Sequence, residues 1–145
     1  MVVLGIKDLI KMIKTKTKKS ISIASRKAKA RTAQNWVAKQ ISELLDIPWG
    51  VDTSIEPRRM GQPGVDIRLD EITKPLFNWS LEVKNSEVWN LPAAIKQVKE
   101  NQMEETDWLV ILKKNNHEYV AVLSAEVFFD LLKLIPNQKK GRNLK

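Results

Sequence analysis

Cysteine is absent from this chain of 145 residues, and histidine occurs once, at His117. Without thiols the chain can form neither disulfide bonds nor thiolate zinc sites, and it has no cysteine nucleophile. A single imidazole also argues against a multi-histidine metal site and against a Ser-His-Asp triad. Any chemistry is therefore expected from carboxylate, amide and amine side chains.

Long apolar runs are also missing, because no stretch of the sequence is long enough to span a bilayer. The opening stretch MVVLGIKDLIKMIK is interrupted by Lys7 and Asp8, which predicts an amphipathic helix rather than a signal peptide. We therefore expect a cytoplasmic protein with a single core of ordinary size and no membrane partner.

Acidic residues are scarce at both ends of the chain, whose net charge is +8. Residues 1–42 hold 11 lysines and arginines and one acid, and the last ten residues hold four basic residues and no acid. Residues 43–135 hold 10 basic and 16 acidic residues. Two basic arms flanking an acidic body are typical of proteins that bind phosphate backbones. Solubilising tails are the main alternative, and a basic membrane-surface helix is a weaker one because its apolar stripe is short.

The spacing of apolar residues predicts a first helix at 3–15, followed by a hinge-like segment, TKTKKSIS. The order that follows is a long helix, three strands, a helix, a two-stranded hairpin and a last helix. This order predicts an α/β domain with a mixed sheet flanked by helices. The predicted division is a basic N-terminal helix and arm (1–24), the domain (25–135) and a basic tail (136–145). The predicted bounds are 25–46 for the long helix, 51–59, 64–70 and 77–85 for three strands, Asn90 for the next helix start, 107–114 and 117–124 for the hairpin, and 124–135 for the last helix.

The stretch WSLEVKN, residues 79–85, alternates apolar and polar residues. This alternation predicts a strand from which Glu82 and Lys84 project side by side, opposite the apolar face. Asp66 lies on the polar side of the preceding predicted strand, and we expect the two strands to pair as a hairpin with these faces aligned. The long helix has a predicted inward stripe at Ala33, Gln34, Val37, Ile41, Leu44 and Leu45. Gln34 on this stripe needs a buried partner. These residues are therefore predicted to meet in one sheltered site.

Two carboxylates that lie close together repel each other unless a cation sits between them. Oxygen ligands without histidine or cysteine suit Mg²⁺. A lysine such as Lys84 beside the metal can help to deprotonate a water molecule. The residues alone thus predict a Mg²⁺ site at Asp66 and Glu82, and the alternative is an ordinary solvated strand that carries alternating charges.

The same residues resemble the core motif of the PD-(D/E)XK nucleases, with GVDI and LEVKN on two strands and 15 residues between Asp66 and Glu82. The resemblance spans about residues 29–124 and includes the basic helix, the glycine turn in PRRMGQPGVDI and the helix AAIKQVKEN. It is closest to archaeal-type and small phage-encoded Holliday junction resolvases. It implies a restriction-endonuclease-like core and Mg²⁺-dependent hydrolysis of four-way DNA junctions, in the host cytoplasm if the chain is phage-encoded. It also implies that Mn²⁺ can replace Mg²⁺ and that no small-molecule cofactor is needed.

The resemblance also implies a role for each site residue. Asp66, Glu82 and the carbonyl of Val83 would bind the metal, and Lys84 would be the catalytic lysine. Gln97, on the next helix, would support the lysine or the scissile phosphate.

One departure from the family pattern concerns the metal. Junction resolvases usually carry a glutamate on the first core helix as a further ligand, and this chain has Gln34 at the matching position, with Asn35 as the less favoured match. An amide oxygen can bind a metal but brings no charge. We therefore expect weaker metal binding, or a second metal that is absent until DNA binds.

Basic residues on the long helix and beside the glycine turn are expected to contact DNA phosphates. Trp36 and Trp89 are expected to be partly exposed, where either could stack on an unpaired base. Another endonuclease of the same superfamily, of nicking, flap or repair type, and a non-catalytic DNA-binding protein are the alternative functions. The predicted DNA-binding residues are Arg26, Lys27, Lys29, Arg31, Arg58, Arg59, Gln62 and Lys96.

A four-way junction needs two symmetric cuts and this chain offers one site, which predicts a homodimer. Between residues 127 and 135 of the last predicted helix, only Asp130 and Lys133 are polar. A helix that is apolar nearly all round is buried on more than one side, which leaves one side for a partner. The alternative is that the N-terminal helix covers that side within the same chain, through Leu9, Ile10 and Ile13.

Overall fold

The computed structural model describes residues 5–15 and 20–136, and for 12–15 the backbone only. Part of the predicted hinge and nearly all of the predicted C-terminal tail lie outside this range. The order of elements agrees with the prediction, and mixed α/β structure is confirmed. The helices are α1 (Ile6–Thr15), α2 (Ile23–Leu45), α3 (Leu91–Glu100) and α4 (Ala125–Lys133); the strands are β1 (Ile55–Pro57), β2 (Ile67–Leu69), β3 (Trp79–Asn85), β4 (Asp107–Lys113) and β5 (Val120–Val122); and a 3₁₀ turn covers Lys74–Leu76.

Helix α2 begins and ends with recognisable caps. The Ser22 side chain accepts a hydrogen bond from the Ser25 N–H, and Asp46 ends the helix in the left-handed conformation. The predicted inward stripe is confirmed at four positions, including Gln34, and Ala38 is also buried. Leu44, predicted on the same stripe, is 71% exposed. The buried residues of α2 are Ala33, Gln34, Val37, Ala38 and Ile41.

The strands form two small sheets. Strands β3 and β4 are parallel, and β4 pairs antiparallel with β5 across the predicted Asn115-Asn116 turn. Strand β2 pairs antiparallel with β1 instead of forming the expected hairpin with β3, so that prediction was wrong. The connection from β2 to β3 is not a tight hairpin turn: the Asp70 carboxylate accepts a hydrogen bond from the Thr73 N–H, and a 3₁₀ turn at Lys74–Leu76 follows.

Helix α2 covers one face of β3 and helix α3 covers the other, and Glu82 and Lys84 lie on the face that α3 covers. Leu81 and Val83 pack with α2 in one hydrophobic cluster, which also contains residues of β1 and β2. Glu82 is paired with Val110 of β4, and Val110 packs under α3 in a second cluster. Glu82 therefore lies on the α3 side, where it is 2% exposed. Within the described residues, no helix is both long enough and apolar enough to cross a membrane.

Candidate active site

The predicted site residues line one open cavity of about 310 Å³, called here the Asp66 cavity. Its walls come from α2, the turn between β1 and β2, strand β3 and helix α3. The predicted carboxylates, lysine and glutamines are therefore brought together by four separate segments of the chain. The lining residues are Ala30, Gln34, Arg58, Arg59, Met60, Gly61, Gln62, Asp66, Glu82, Val83, Lys84, Asn85, Ser86 and Gln97.

Asp66 is the point at which the two sheets join. Its N–H donates to the Leu81 carbonyl at 3.0 Å, and its own carbonyl accepts from the Arg58 N–H at 2.7 Å. Its Oδ2 accepts a hydrogen bond from the Val83 N–H at 2.6 Å. These hydrogen bonds fix the Asp66 carboxylate against β3, although β2 and β3 belong to different sheets. Asp66 therefore lies beside β3 as predicted, but not through the predicted hairpin.

Glu82 and Lys84 are consecutive on the polar face of β3, and they contact each other. Glu82 Oε1 lies 2.5 Å from Lys84 Nζ. Lys84 Nζ also donates to Gln97 Oε1 of α3 at 2.9 Å. The side chain of Lys84 is 39% exposed, so its ammonium group is held at the cavity surface, where a substrate can reach it. The structure therefore brings the predicted lysine and its predicted supporting glutamine into contact.

Burial raises the pKa of both carboxyls. For Asp66 desolvation is the largest effect, opposed by the Val83 N–H, the positive charge of Lys84 and the Gln34 side chain. For Glu82 desolvation again comes first, the negative charge of Asp66 raises the pKa further, and Lys84 opposes the rise. Two carboxyls with raised pKa values in one cavity are characteristic of functional sites.

Two oxygen atoms in this site are buried without a hydrogen-bond partner among the described residues, Gln34 Oε1 and Glu82 Oε2. A buried acceptor without a partner is costly unless a bound water or ion satisfies it. The N–H and C=O groups of a strand residue point to the same edge, so the Val83 carbonyl faces the same side as its N–H, toward Asp66. These oxygens, with the Asp66 carboxylate, are the ligand types that Mg²⁺ prefers.

The ligand set differs from an all-acidic metal site. Within residues 5–15 and 20–136, no group of three or more histidine, cysteine, aspartate or glutamate side chains is placed to hold a metal ion. The site offers two carboxylates, one amide oxygen and one backbone carbonyl instead. This composition fits a hard cation that retains several water ligands.

Arg58 is held in place by the glycine turn that precedes Asp66. Its Nε donates to the Val65 carbonyl at 2.5 Å. Gly64 has φ +104, and a Cβ at this position would lie 2.9 Å from the Arg58 guanidinium carbon. Glycine is therefore required here both for the backbone conformation and for the close approach of the arginine. Sequence analysis identified Arg58 but not its packing on Gly64.

Three of the predicted DNA-binding residues, Arg58, Arg59 and Gln62, line the Asp66 cavity. Arg31 lines a neighbouring cavity that also contains Arg59. Lys29 pairs with Glu87 at 3.2 Å.

The remaining predicted DNA-binding residues lie away from the Asp66 cavity. Arg26 and Lys27 are exposed near the start of α2, and Lys96 is exposed on α3, 3.8 Å from Glu100. Trp36 is partly exposed as predicted, but its ring stacks on Tyr119 at a centroid distance of 3.7 Å, which occupies one of its faces. Trp89 is half-buried and packs against the second hydrophobic cluster.

Sequence analysis missed several residues that line the Asp66 cavity, because they carry no charge. Met60 projects from the arginine-rich turn, and Asn85 and Ser86 follow the E-V-K residues of β3. The Asn85 amide donates to the Lys29 carbonyl at 2.9 Å and so ties β3 to α2. The only feature of the sequence that could have pointed to Asn85 is its position directly after Lys84.

Comparison with known proteins does not identify the chain: no family model, curated protein or solved structure matches it.

Proposed function

We propose that this protein is a Mg²⁺-dependent endonuclease that resolves four-way DNA junctions and has a restriction-endonuclease-like core. The observation that carries the proposal is the Asp66 cavity, in which the buried Glu82 carboxyl, the half-buried Asp66 carboxyl, a lysine and two oxygens without a partner among the described residues converge. The basic N-terminal region and the arginines at the cavity rim provide a phosphate-binding surface. The D…E-V-K resemblance supports the same activity.

Asp66, Glu82, Gln34 and the Val83 carbonyl would hold the metal. When bound, Mg²⁺ would polarise a phosphodiester and make a water molecule more acidic, and Mn²⁺ would serve in its place. The raised pKa values of Asp66 and Glu82 fit this role, because a cation between the carboxylates offsets both their desolvation and their mutual repulsion.

Lys84 would stabilise negative charge on the phosphate as the phosphorus–oxygen bond breaks. Gln97 holds the ammonium group from α3 and Glu82 holds it from the same strand, so its position is set before the substrate binds. Arg58 and Arg59 would bind the phosphates on either side of the scissile one. The surrounding chain thus supplies positioned positive charge, which is the main requirement of phosphoryl transfer.

A second copy of the chain would supply the second cut. Helix α4 has no buried side chain, and Phe129 is 60% exposed. Leu9 and Ile10 of α1, which would cover α4 within one chain, are themselves 47% and 45% exposed, and the Ile13 side chain lies outside the described residues. We propose that the α4 helices of two copies pack together, so that two Asp66 cavities face one branched substrate.

The test is an incision assay on a four-way junction beside linear duplex, flap and single-stranded DNA, each with Mg²⁺ or with EDTA. We expect the junction to be cut fastest and only with the metal. Glu82→Gln should slow the cutting by at least about 100-fold, since it weakens the metal site that the chemistry requires. The matched control is Glu43→Gln, an exposed acid on α2 that pairs with Lys39, which should cut like the wild type.

The outcomes separate the alternatives. Preference for nicked or flap DNA with the same dependence on Glu82 would support another endonuclease on the same site. Binding of junctions without any incision in Mg²⁺ or Mn²⁺ would support a non-catalytic DNA-binding protein. Equal rates for Glu82→Gln and the wild type would refute the site.

A further inference from the structure

A second cavity of about 380 Å³ lies beside the Asp66 cavity, and Arg59 lines both. Helix α2 contributes to the walls of both cavities. Ala30 and Gln34 line the Asp66 cavity, and Arg31 and Asn35 line the second cavity. We call it the Trp49 cavity. Its lining residues are Arg31, Asn35, Trp49, Gly50, Val51, Glu56, Pro57 and Arg59.

The Trp49 cavity combines an aromatic wall with hydrogen-bonding and positively charged groups. Trp49 is half-buried and packs against the main hydrophobic cluster, which holds its ring in place. Asn35 supplies an amide that can donate and accept at a base edge. Within the part of the chain that the structure describes, neither Arg31 nor Arg59 takes part in a salt bridge or a side-chain hydrogen bond. Both guanidinium groups are therefore available to an anion.

The one acid in the wall, Glu56, does not cancel this positive charge. Arg68 donates to its carboxylate from Nε at 3.0 Å, and the Asp52 N–H donates to its other oxygen at 3.3 Å. These contacts, with the Arg68 hydrogen bond as the largest cause, lower the pKa of Glu56. The carboxylate is thus neutralised by Arg68, and the cavity retains the charge of two arginines.

A fully paired duplex would use the arginines but would have no use for a tryptophan in the wall of the same cavity. An aromatic ring beside two free guanidinium groups is the arrangement by which proteins bind an unpaired base and its flanking phosphates. Trp36 does not offer an equivalent surface, because it stacks on Tyr119 and is absent from the walls of both cavities.

We propose that the Trp49 cavity binds one unpaired nucleotide of the DNA next to the scissile phosphate. The base stacks on Trp49, Asn35 hydrogen-bonds its edge, and Arg31 and Arg59 bind the phosphates on its two sides. The inference rests on the proposed nuclease function and deepens it. It names the substrate class as DNA that exposes an unpaired nucleotide at the cut, as a branch point can.

The test measures binding in EDTA, so that incision plays no part. The probes are a paired duplex, and the same duplex with a branch point that leaves one 2-aminopurine unpaired. For the wild type we expect tighter binding of the branched probe and a loss of 2-aminopurine emission as the base stacks on the indole. Trp49→Leu should restore the emission and lower the branched-to-duplex affinity ratio about ten-fold, and Trp49→Phe should retain most of both effects.

Trp36→Leu is the matched control, and it should leave the ratio and the quenching at wild-type values. Equal quenching by Trp49→Leu and the wild type would overturn the proposal, as would an unchanged affinity ratio. If Trp49→Leu does not fold by circular dichroism, Asn35→Ala is measured instead, with Trp49→Phe as the variant expected to retain most of the ratio, and a wild-type ratio in Asn35→Ala then overturns the proposal. Failure of the proposed function is distinguishable, because it appears in the separate incision assay, either as no incision at all or as Mg²⁺-dependent incision that does not depend on Glu82.

Discussion

At Glu82, one carboxylate oxygen contacts Lys84, and the other is buried without a hydrogen-bond partner among the described residues. Asp66 adds a second negative charge to the same cavity. A buried carboxylate with one oxygen unpaired destabilises a fold unless a bound water or ion satisfies that oxygen. The metal-free protein therefore carries a cost that a bound cation would remove.

The first prediction concerns stability in EDTA. Because the folded-state pKa of Glu82 is raised, the folded protein binds its proton more tightly than the unfolded chain does. Stability should therefore fall as the pH rises from the ordinary carboxyl value of 4.5 through the raised pKa. Glu82→Gln should unfold at a higher temperature than the wild type at pH 7, and the difference should shrink as the pH falls toward 4.5. Thermal unfolding from pH 4 to 8 measures this, and a variant less stable than the wild type at pH 7 would contradict it.

Gln34 provides the second prediction at the residue scale. Its amide oxygen faces the site without a partner but brings no charge. Gln34→Glu should lower the Mg²⁺ concentration needed for half-maximal incision, about ten-fold, because a third carboxylate strengthens the attraction for the cation. Gln34→Ala should raise it. An equal Mg²⁺ requirement in all three proteins would remove Gln34 from the metal site.

At the scale of elements, the turn between β1 and β2 sets the position of Arg58. Gly64→Ala would place a Cβ against the guanidinium group and impose an unfavourable φ. Gly61 is the matched control, because its φ is +82 but nothing lies within 4 Å of a Cβ there. We expect Gly61→Ala to cost about 1–2 kcal/mol from backbone strain. Gly64→Ala should cost a similar amount, because the atoms that its Cβ would meet are the far end of the flexible Arg58 side chain, which can move aside.

The same pair should differ in activity. Displacement of Arg58 moves a phosphate ligand, so Gly64→Ala should slow incision about 10- to 100-fold relative to Gly61→Ala. Unfolding in denaturant and single-turnover incision measure the two effects. Equal losses of rate in both variants would mean that the Arg58 contact has no part in shaping the site.

The sequence predicted the buried faces of individual strands and helices better than it predicted which elements pair. Alternation in β3 correctly placed Glu82 and Lys84 on one face, because a two-residue period fixes the face of a strand. The period does not identify the neighbouring strand, and the β2–β3 hairpin was therefore wrong. The helical period placed Gln34 inward, but Trp49 and Asn35 became neighbours only through the packing of α2 beside the β1 pair. Contacts between distant segments leave no periodic signal in a single sequence.

At the scale of the whole molecule, helix α4 is the surface through which we expect two copies of the chain to form a dimer. Its apolar residues are exposed on a chain that otherwise buries its core under α2 and α3. Phe129→Glu should shift the protein toward a monomer in sedimentation across a dilution series, because it places a charge in an apolar interface. Nicking should persist while paired cutting of a junction is lost. A wild-type monomer that cuts both strands in step would exclude the dimer.

The central claim is that the Asp66 cavity hydrolyses DNA, and Lys84 tests it most directly because it contacts Glu82 and Gln97 at the cavity surface. The measurement is the single-turnover rate of junction incision at saturating Mg²⁺, with Lys74→Ala as the control, since Lys74 pairs with Glu71 outside the Asp66 cavity. We predict a loss of about 100- to 1,000-fold for Lys84→Ala, with junction affinity nearly intact, and the wild-type rate for Lys74→Ala. Incision by Lys84→Ala at the wild-type rate would contradict the claim.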